Sequence, residues 1–282
     1  VERTEEEFVS DFGGGFGDRG DRDNTGGFFQ VEAEILEALL VTLSGRSDNN
    51  SFFGSEASWR AAAAYLIRSS GTKIRGTWGT GITAPAFLDL LGLFGNPDLL
   101  PEEASGGDVG VDQTFLEGSL RVGLTGYYNS IKNLIQGFPP VNVGRARTRG
   151  IELSAEVSPG KDGWFARCAY TLLRAKDEAT GLDLIRRPRH EARLGAGYRE
   201  AALAGWIDVV YVGDREDINF STFARETVDG FFKIDLSGRI AISQDTRLTL
   251  RIENALDSKY EEVRGFPGAE LNAMLGVEFG AH

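Results

Sequence analysis

The chain has 282 residues, 30 basic and 42 acidic, with a formal net charge of −12. A single cysteine excludes a disulfide framework, and two histidines leave little for a histidine metal site or a Ser-His-Asp triad. The acidic balance disfavours a nucleic-acid partner, because nucleic acids select basic surfaces. No apolar run is long enough for a transmembrane helix, and no basic-then-apolar leader opens the chain, which predicts a mature, truncated or cytosolic protein.

Alternation of apolar and polar residues runs through most of the chain and predicts β-strands. In the segment 231–242, Ile234 and Leu236 share an apolar face. Lys233 and Asp235 lie on the opposite, charged face. The other segments with this pattern, in chain order, are 58–69, 118–131, 149–158, 189–198 and 247–257.

The alternating segments add up to about 14 strands of about 9–13 residues, longer than the usual 5–6 and close to the 9–11 of a membrane barrel. Short and long connections alternate, as they do when turns lie at one rim of an up-and-down barrel and loops at the other. The predicted short turns are 69–73, 116–119, 158–163, 199–203 and 243–246. The predicted long loops are 12–26, 47–56, 83–107, 132–145, 175–187, 213–229 and 257–270.

The alternation alone leaves two all-β folds open, because a soluble β-sandwich has the same pattern with its apolar face inside. Strand length and the mixed charges on the polar face favour a barrel in lipid. We therefore predict a transmembrane antiparallel up-and-down β-barrel, with residues 1–282 as a single domain.

A family resemblance appears in the segment 79–104, GTGITAPAFLDLLGLFGNPDLLPEEA, where a strand ends in an Ala-Pro step before a Gly-Asn-Pro-x-Leu-x-Pro-Glu loop. It resembles a signature stretch of the TonB-dependent outer-membrane receptors, and within them the vitamin B12 and siderophore receptors. Further segments resemble the family in the same order, and they are 125–135, 142–156, 186–195, 210–217 and 251–267.

The resemblance implies a barrel of about 22 strands with an N-terminal plug domain inside. It also implies a bacterial outer-membrane protein that captures a scarce ligand, such as cobalamin or an iron–siderophore complex, at its outer rim. This chain is expected to be the C-terminal barrel portion with the plug absent. Its expected partners are outer-membrane lipid and the small-molecule ligand, with TonB a partner only if the full-length protein contains a plug.

Two alternatives remain beside this interpretation: a passive pore made by a barrel that closes at 14 strands, and a soluble β-sandwich binding module. An enzyme is not expected, because no residue set has catalytic spacing. A single cysteine and isolated histidines also predict no cofactor, with Ca²⁺ as the one candidate.

Candidate site residues lie in the predicted long loops. Aromatic side chains there are suited to stacking on a ligand, and carboxylates on a glycine-rich loop supply the oxygens that Ca²⁺ prefers. Alternating arginines at 145, 147 and 149 are expected in the lumen, paired with acids such as Glu152. The ligand candidates are Phe52, Phe53, Phe94, Phe138, Arg215, Phe220 and Phe223. The calcium candidates are Asp18, Asp21 and Asp23.

Overall fold

The computed structural model describes residues 2–11, 17–91 and 94–280, without the side chains of residues 10, 11 and 17–19. Fourteen strands form one antiparallel sheet in which neighbours along the chain are hydrogen-bonded neighbours in space, apart from two inserted hairpins. This confirms the predicted all-β, up-and-down arrangement. Among the described residues, no helix is long and apolar enough to cross a bilayer.

The elements follow one another from one edge of the sheet to the other. The strands are β1 (Glu2–Asp11), β2 (Gly17–Ile35), β3 (Leu39–Asn50), β4 (Gly54–Ile67), β5 (Thr72–Thr83), β6 (Glu102–Phe115), β7 (Leu120–Gln136), β8 (Val141–Val157), β9 (Gly163–Asp177), β10 (His190–Arg199), β11 (Leu203–Val212), β12 (Arg215–Ile218), β13 (Arg225–Val228), β14 (Phe231–Ala241), β15 (Thr246–Glu253), β16 (Glu261–Val263), β17 (Phe266–Pro267) and β18 (Asn272–Phe279). The described helices are α1 (Phe87–Leu91) and a 3₁₀ turn, Leu116–Gly118. Strands β12–β13 and β16–β17 are separate two-stranded hairpins inserted in the connections between sheet strands.

One face of the sheet is apolar, and we call it the apolar face. The register aligns Gly76, Val109, Gly126, Ile151 and Leu172 in one row across β5 to β9, each residue directly opposite the next. Val109 is 64 % exposed, although a soluble fold buries such side chains. A β-sandwich needs this face covered by a second sheet, and none covers it among the described residues, so the soluble alternative is not favoured. An exposed apolar face of this extent is suited to contact with lipid.

The opposite face is charged and held together by ion pairs between neighbouring strands, and we call it the polar face. Lys73 and Arg75 on β5 lie 2.9 and 3.1 Å from the Asp112 carboxylate on β6. Arg167 on β9 lies 2.7 Å from Asp208, two strands away on β11. Mixed charges on one face are what the sequence predicted for a wet barrel interior.

All five predicted short turns are confirmed as breaks between strands. One further turn, at residues 36–38, was not predicted from the sequence. Leu36 and Glu37 have φ of 55° and 54°, the left-handed region that glycine adopts most easily. Because neither residue is glycine, asparagine or proline, the sequence carried no turn signal there.

Several predicted long loops are wrong in extent, because strand pairing continues into them. Strand β2 already begins at Gly17, β3 and β4 are separated by only residues 51–53, and β7 and β8 by residues 137–140. Residues 12–16 of the first predicted loop lie outside the described residues. These extensions lie beyond the lipid-facing part of the sheet, which we call the lipid belt. Strand pairing there needs no apolar face, so the alternation of apolar and polar residues that predicts strands within the lipid belt is missing.

The two outermost strands leave the sheet open within the described part of the chain. Strand β1 pairs with β2 and β18 pairs with β15, and the described pairing does not join β1 to β18. A pore closed by these 14 strands is therefore not favoured.

Asn254 anchors the long connection between β15 and β18. It is 1 % exposed and has a φ of 51°, a conformation that asparagine tolerates better than most residues. Its side-chain amide donates to the carbonyl oxygens of Ser258 and Ala269, both at 3.0 Å, and its Oδ1 accepts from the Ser258 N–H at 2.9 Å.

Replacing Asn254 with glycine or alanine separates these two roles. Asn254→Gly keeps the left-handed backbone and loses the side-chain hydrogen bonds, which should destabilise the loop by about 1–3 kcal/mol. Asn254→Ala loses the bonds and also strains the backbone, adding about 1 kcal/mol. Both variants are heated and run on gels, where the folded chain migrates differently from the unfolded chain, and the temperature at which the folded band disappears gives the stability. Equal stability of the glycine variant and the parent chain would contradict this role.

Candidate functional site

The hairpins at the long-loop end are joined by one buried carboxylate, Asp217 on β12, which is 0 % exposed. Its Oδ1 accepts from Arg186 Nε at 2.9 Å and from the Ile218 N–H at 2.8 Å. Its Oδ2 accepts from the Arg264 N–H at 2.9 Å, and Arg264 Nε donates to Glu226 at 2.8 Å. Asp217 thus ties the β12–β13 hairpin, the β16–β17 hairpin and the loop 178–189 into one unit, which we call the loop layer.

The charge of Asp217 follows from the balance of its surroundings. Burial raises the pKa of its carboxyl, but the N–H groups of Arg264 and Ile218 and the Arg186 guanidinium outweigh that effect and hold the pKa below its usual range. The carboxyl is therefore an anion at neutral pH, and it accepts all three hydrogen bonds in its charged form.

Arg215, a predicted ligand residue, lies inside the loop layer and is only 6 % exposed. Its guanidinium donates to the backbone carbonyl oxygens of Glu261 and Glu262 and lies over the Phe231 ring, 5.7 Å from its centroid. The Phe231 ring stacks on Tyr260 at 4.3 Å. Arg215 Nη1 is buried without a hydrogen-bond partner among the described residues.

Beside Arg215 lies a cavity of about 480 Å³ between the loop layer and the ends of β9 and β10. Cationic side chains outnumber carboxylates around it, so an anionic group is the chemistry it best accommodates. The cationic lining residues are Arg174, Lys176, Arg187, Arg189 and Arg215, and the acidic ones are Asp183, Asp214 and Glu216.

Two pairs of loop aromatics bring separate connections together. The rings of Phe94 and Phe138 lie 4.7 Å apart and join the β5–β6 connection to the β7–β8 turn. The Phe220 ring packs edge-on against Phe266 at 6.2 Å, under the Arg186 guanidinium. These predicted candidates therefore support loop structure as well as offering exposed ring surface.

The remaining aromatic candidates lie apart from one another. Phe52 is half-exposed in the β3–β4 turn, and Phe53 lines a polar cavity of about 310 Å³ together with Arg22 and Arg46. Phe223 lies at the tip of the β12–β13 hairpin, is 65 % exposed and has a φ of 55°. A bulky residue in the left-handed region is strained, and such strain clusters at ligand contacts.

The calcium candidates are on a strand rather than on a flexible loop, which corrects the prediction. Asp21 and Asp23 are exposed on β2, opposite Glu7 and Glu5, and Asp23 lies 3.6 Å from Arg3. The side chain of Asp18 lies outside the described residues. Among the described residues, no group of three or more acidic, histidine or cysteine side chains is arranged to hold a metal ion. Calcium binding there remains a prediction.

The arginines of β8 are also placed differently from the prediction. Arg145, Arg147 and Arg149 share the parity of Ile151 and so lie on the apolar face, whereas Glu152 lies on the polar face. The predicted pairing with Glu152 in the lumen is therefore wrong. Arg145 and Arg147 instead lie 3.8 and 2.5 Å from Glu178.

Sequence reasoning missed the role of Asp217, although it had singled out the segments that meet there. Arg186 belongs to the segment 186–195, Asp217 to 210–217 and Arg264 to 251–267, each of which resembles the receptor family. The sequence did hold one signal for this contact. Each of these segments contains polar residues that a predicted strand does not explain.

A single sheet of long antiparallel strands, with one exposed apolar face and joined loops at one end, is the architecture of part of a membrane β-barrel. Residues 3–255 match the family described as TonB dependent receptor-like, beta-barrel. The chain belongs to this family.

Curated relatives include the vitamin B12 transporter BtuB of Vibrio cholerae serotype O1, 28 % identical over 270 residues covering 92 % of this chain. The vitamin B12 transporter BtuB of Photobacterium profundum is 30 % identical over 252 residues, 85 % of this chain. The chain spans 43 % and 40 % of the lengths of these two relatives.

Among solved structures, the ferric enterobactin receptor of Pseudomonas aeruginosa is similar with a TM-score of 0.78 and 15 % identity. That match covers 93 % of this chain and 45 % of the receptor chain. At this identity, the likeness concerns the fold.

Proposed function

We propose that the chain forms the barrel of a bacterial outer-membrane receptor that captures a scarce small molecule at its long-loop end for TonB-driven import. The candidate ligands are cobalamin and iron–siderophore complexes. Relatives named as vitamin B12 transporters and a similar fold named as a ferric enterobactin receptor support both classes. TonB is a partner of this barrel if the full-length receptor contains a plug domain.

The observation that carries this proposal is the loop layer built on Asp217. A fixed layer presents its side chains in one arrangement, so a ligand binds without the cost of ordering the loops first. The cationic cavity beside Arg215 suits an anionic group, and both ligand classes offer one: cobalamin has a phosphodiester, and iron–catecholate complexes are anionic. The proposed role of these residues is to bind and release a ligand, with no covalent step.

The direct test is equilibrium binding by outer membranes that carry the full-length receptor. Cyanocobalamin and a panel of ferric siderophores are titrated, and uptake of any ligand that binds is compared in cells with and without TonB. We expect saturable binding of one ligand class and uptake that requires TonB. Absence of binding across the panel, or uptake independent of TonB, would overturn the proposal.

Phe223 is the exposed candidate whose role can be separated from loop stability. Phe223→Gly removes the ring and relieves the left-handed strain at φ 55°, so the hairpin should be at least as stable as before. Loss of a stacked ring should nevertheless weaken ligand binding by about 10-fold.

The matched control for Phe223 is Phe232, which is exposed on the apolar face of β14. Phe232→Leu should leave the ligand dissociation constant unchanged. A Phe223→Gly variant that binds as tightly as the parent would remove Phe223 from the site, and the other loop candidates would then be tested in the same way.

A further inference from the structure

On the apolar face, a groove of about 590 Å³ runs across β5 to β9 and ends in arginines. Its wall is aromatic at one side, where the Trp78 and Tyr128 rings stack with centroids 6.3 Å apart. Val109, Ile151 and Leu172 line it further along. The groove is therefore apolar over its length and cationic at one end.

Gly126 leaves room on the floor of this groove. A Cβ built on Gly126 meets no atom within 4 Å, so the space above it is open. It lies between Val109 and Ile151 in the same row of the ladder. An acyl chain fits such a floor better than a protein side chain, because lipid surrounds this face of the sheet.

The cationic end lies just beyond the lipid belt. One row of the ladder passes from Trp78 through Gly107 and Tyr128 to Arg149 on β8 and Arg174 on β9, each directly opposite the next. Trp and Tyr mark the membrane interface, so Arg149 and Arg174 lie at the level of lipid headgroups. This is the long-loop side of the sheet, which faces outward in outer-membrane barrels.

The charges of these arginines are not neutralised within the described part of the chain. Arg149, Arg174 and Arg189 are exposed, line the groove, and form no ion pair or hydrogen bond through their side chains with any described residue. The acidic residue of the lining, Asp108, belongs to the polar face and lies 3.7 Å from Arg75 there.

We propose that this groove binds a phosphorylated glycolipid of the external leaflet, with an acyl chain over Gly126 and a phosphate monoester held by Arg149 and Arg174. A phosphate monoester carries a charge between about −1.5 and −2 near neutral pH. Adjacent guanidinium groups match that charge better than they match the single charge of a phosphodiester lipid, and they bind phosphate through parallel hydrogen bonds. Arg189 is placed to add a third donor. The inference rests on the outer-membrane location and not on the identity of the imported ligand.

The test is lipid binding by the full-length receptor in detergent, read by native mass spectrometry. Three probes are compared: lipid A with both phosphates, the same lipid A after phosphatase treatment, and phosphatidylglycerol. We expect the phosphorylated lipid A to bind at least about 10-fold more tightly than either of the others. Equal binding of dephosphorylated lipid A or of phosphatidylglycerol would overturn the proposal.

Paired variants locate the site on the protein. Arg149→Ala/Arg174→Ala should weaken binding of phosphorylated lipid A by at least about 10-fold. The control Arg193→Ala/Arg239→Ala removes two exposed arginines from the polar face and should leave binding unchanged. Equal loss in both double variants would contradict the assignment.

Gly126→Phe fills the groove one row below the arginines, leaves both of them in the chain and should weaken binding as well. Arg149→Lys/Arg174→Lys retains the charge and, if the alanine variant folds poorly, should still bind phosphorylated lipid A less tightly than the parent. Unchanged binding in Gly126→Phe would overturn the acyl-chain placement. Arg174 also lines the cavity beside Arg215, so ligand binding is compared on Gly126→Phe and on the single variant Arg149→Ala, which change residues outside that cavity. Cobalamin and siderophore binding by these two variants should be unaffected, so a failure of this inference is distinguishable from a failure of the proposed function.

Discussion

Replacing Asp217 with alanine is expected to release the loop layer from the end of the sheet. The variant removes the acceptor for Arg186 Nε and for the N–H groups of Ile218 and Arg264. Hydrogen bonds to a buried charged group are each worth about 1.5–3 kcal/mol, and the half-exposed Arg186 recovers part of that loss from water. The two backbone N–H groups alone therefore imply a local loss of at least about 3 kcal/mol.

Hydrogen exchange measures this loss where it occurs. Amides of residues 215–228 and 261–267 should exchange at least about 150-fold faster in Asp217→Ala, whereas amides in the sheet strands should not change. The matched control is Glu270→Ala, which breaks an exposed ion pair with Lys259 at the same end of the molecule. Such a pair contributes little, so equal acceleration in both variants would contradict the central role of Asp217.

The same carboxylate gives the loop layer a defined pH dependence. The pKa of Asp217 is lowered from 3.8 in the folded chain, so its contribution is fully present above pH 3.8 and is lost as pH falls through the folded pKa. The parent loops should keep their protection at pH values above 3.8 and lose it only below. Asp217→Asn should be less protected than the parent above pH 3.8 and insensitive to acid at this site.

Leu236→Arg is expected to destabilise the barrel far more than the neighbouring change Ser237→Arg. Leu236 is in the middle of β14 on the apolar face, opposite Ile207 and Ile252. An arginine near the middle of the lipid belt costs about 2–4 kcal/mol. Ser237 is on the polar face, between Trp206 and Arg251, where an added cation meets water and should cost less than about 1 kcal/mol.

Urea unfolding in lipid vesicles, followed by the mobility difference between folded and unfolded chains on gels, measures both variants. The two substitutions add the same side chain at adjacent positions, so the change in net charge cancels in the comparison. Equal destabilisation of the two variants would mean that the faces of β14 are not distinguished by lipid.

The sequence pattern was sufficient for the sheet within the lipid belt, where each strand must present one apolar face. In β14, Ile234 and Leu236 lie on one face of the strand, and Lys233 and Asp235 lie on the other. This alternation predicts both the strand and the residues that make up its apolar face, and the structure confirms both. Beyond the belt this requirement disappears. Residues 17–26 of β2 are polar or glycine on both faces, so their pairing with β1 left no periodic signal.

The loop layer was unpredictable for a different reason. Asp217 contacts Arg186 at a separation of 31 residues and Arg264 at 47, and no local pattern specifies such contacts. Likewise, the arginines of β8 alternate with the correct period, but the period alone does not tell which face they share. Arg149 and Ile151 have the same parity on β8, so the apolar side chain of Ile151 was the signal in the sequence that places these arginines on the apolar face.

The contact between the apolar face and lipid is tested most directly by an accessibility scan along β14 in outer membranes. Single cysteines at residues 232–241, in a Cys168→Ala background, are spin-labelled and probed with oxygen, which enriches in lipid, and with a water-soluble nickel chelate. If the apolar face meets lipid, accessibility should alternate with a period of two, with oxygen contact highest at Ile234, Leu236 and Ile240 and nickel contact highest at Lys233, Asp235 and Arg239. Accessibility without this alternation, or with the two faces exchanged, would contradict the contact between the apolar face and lipid.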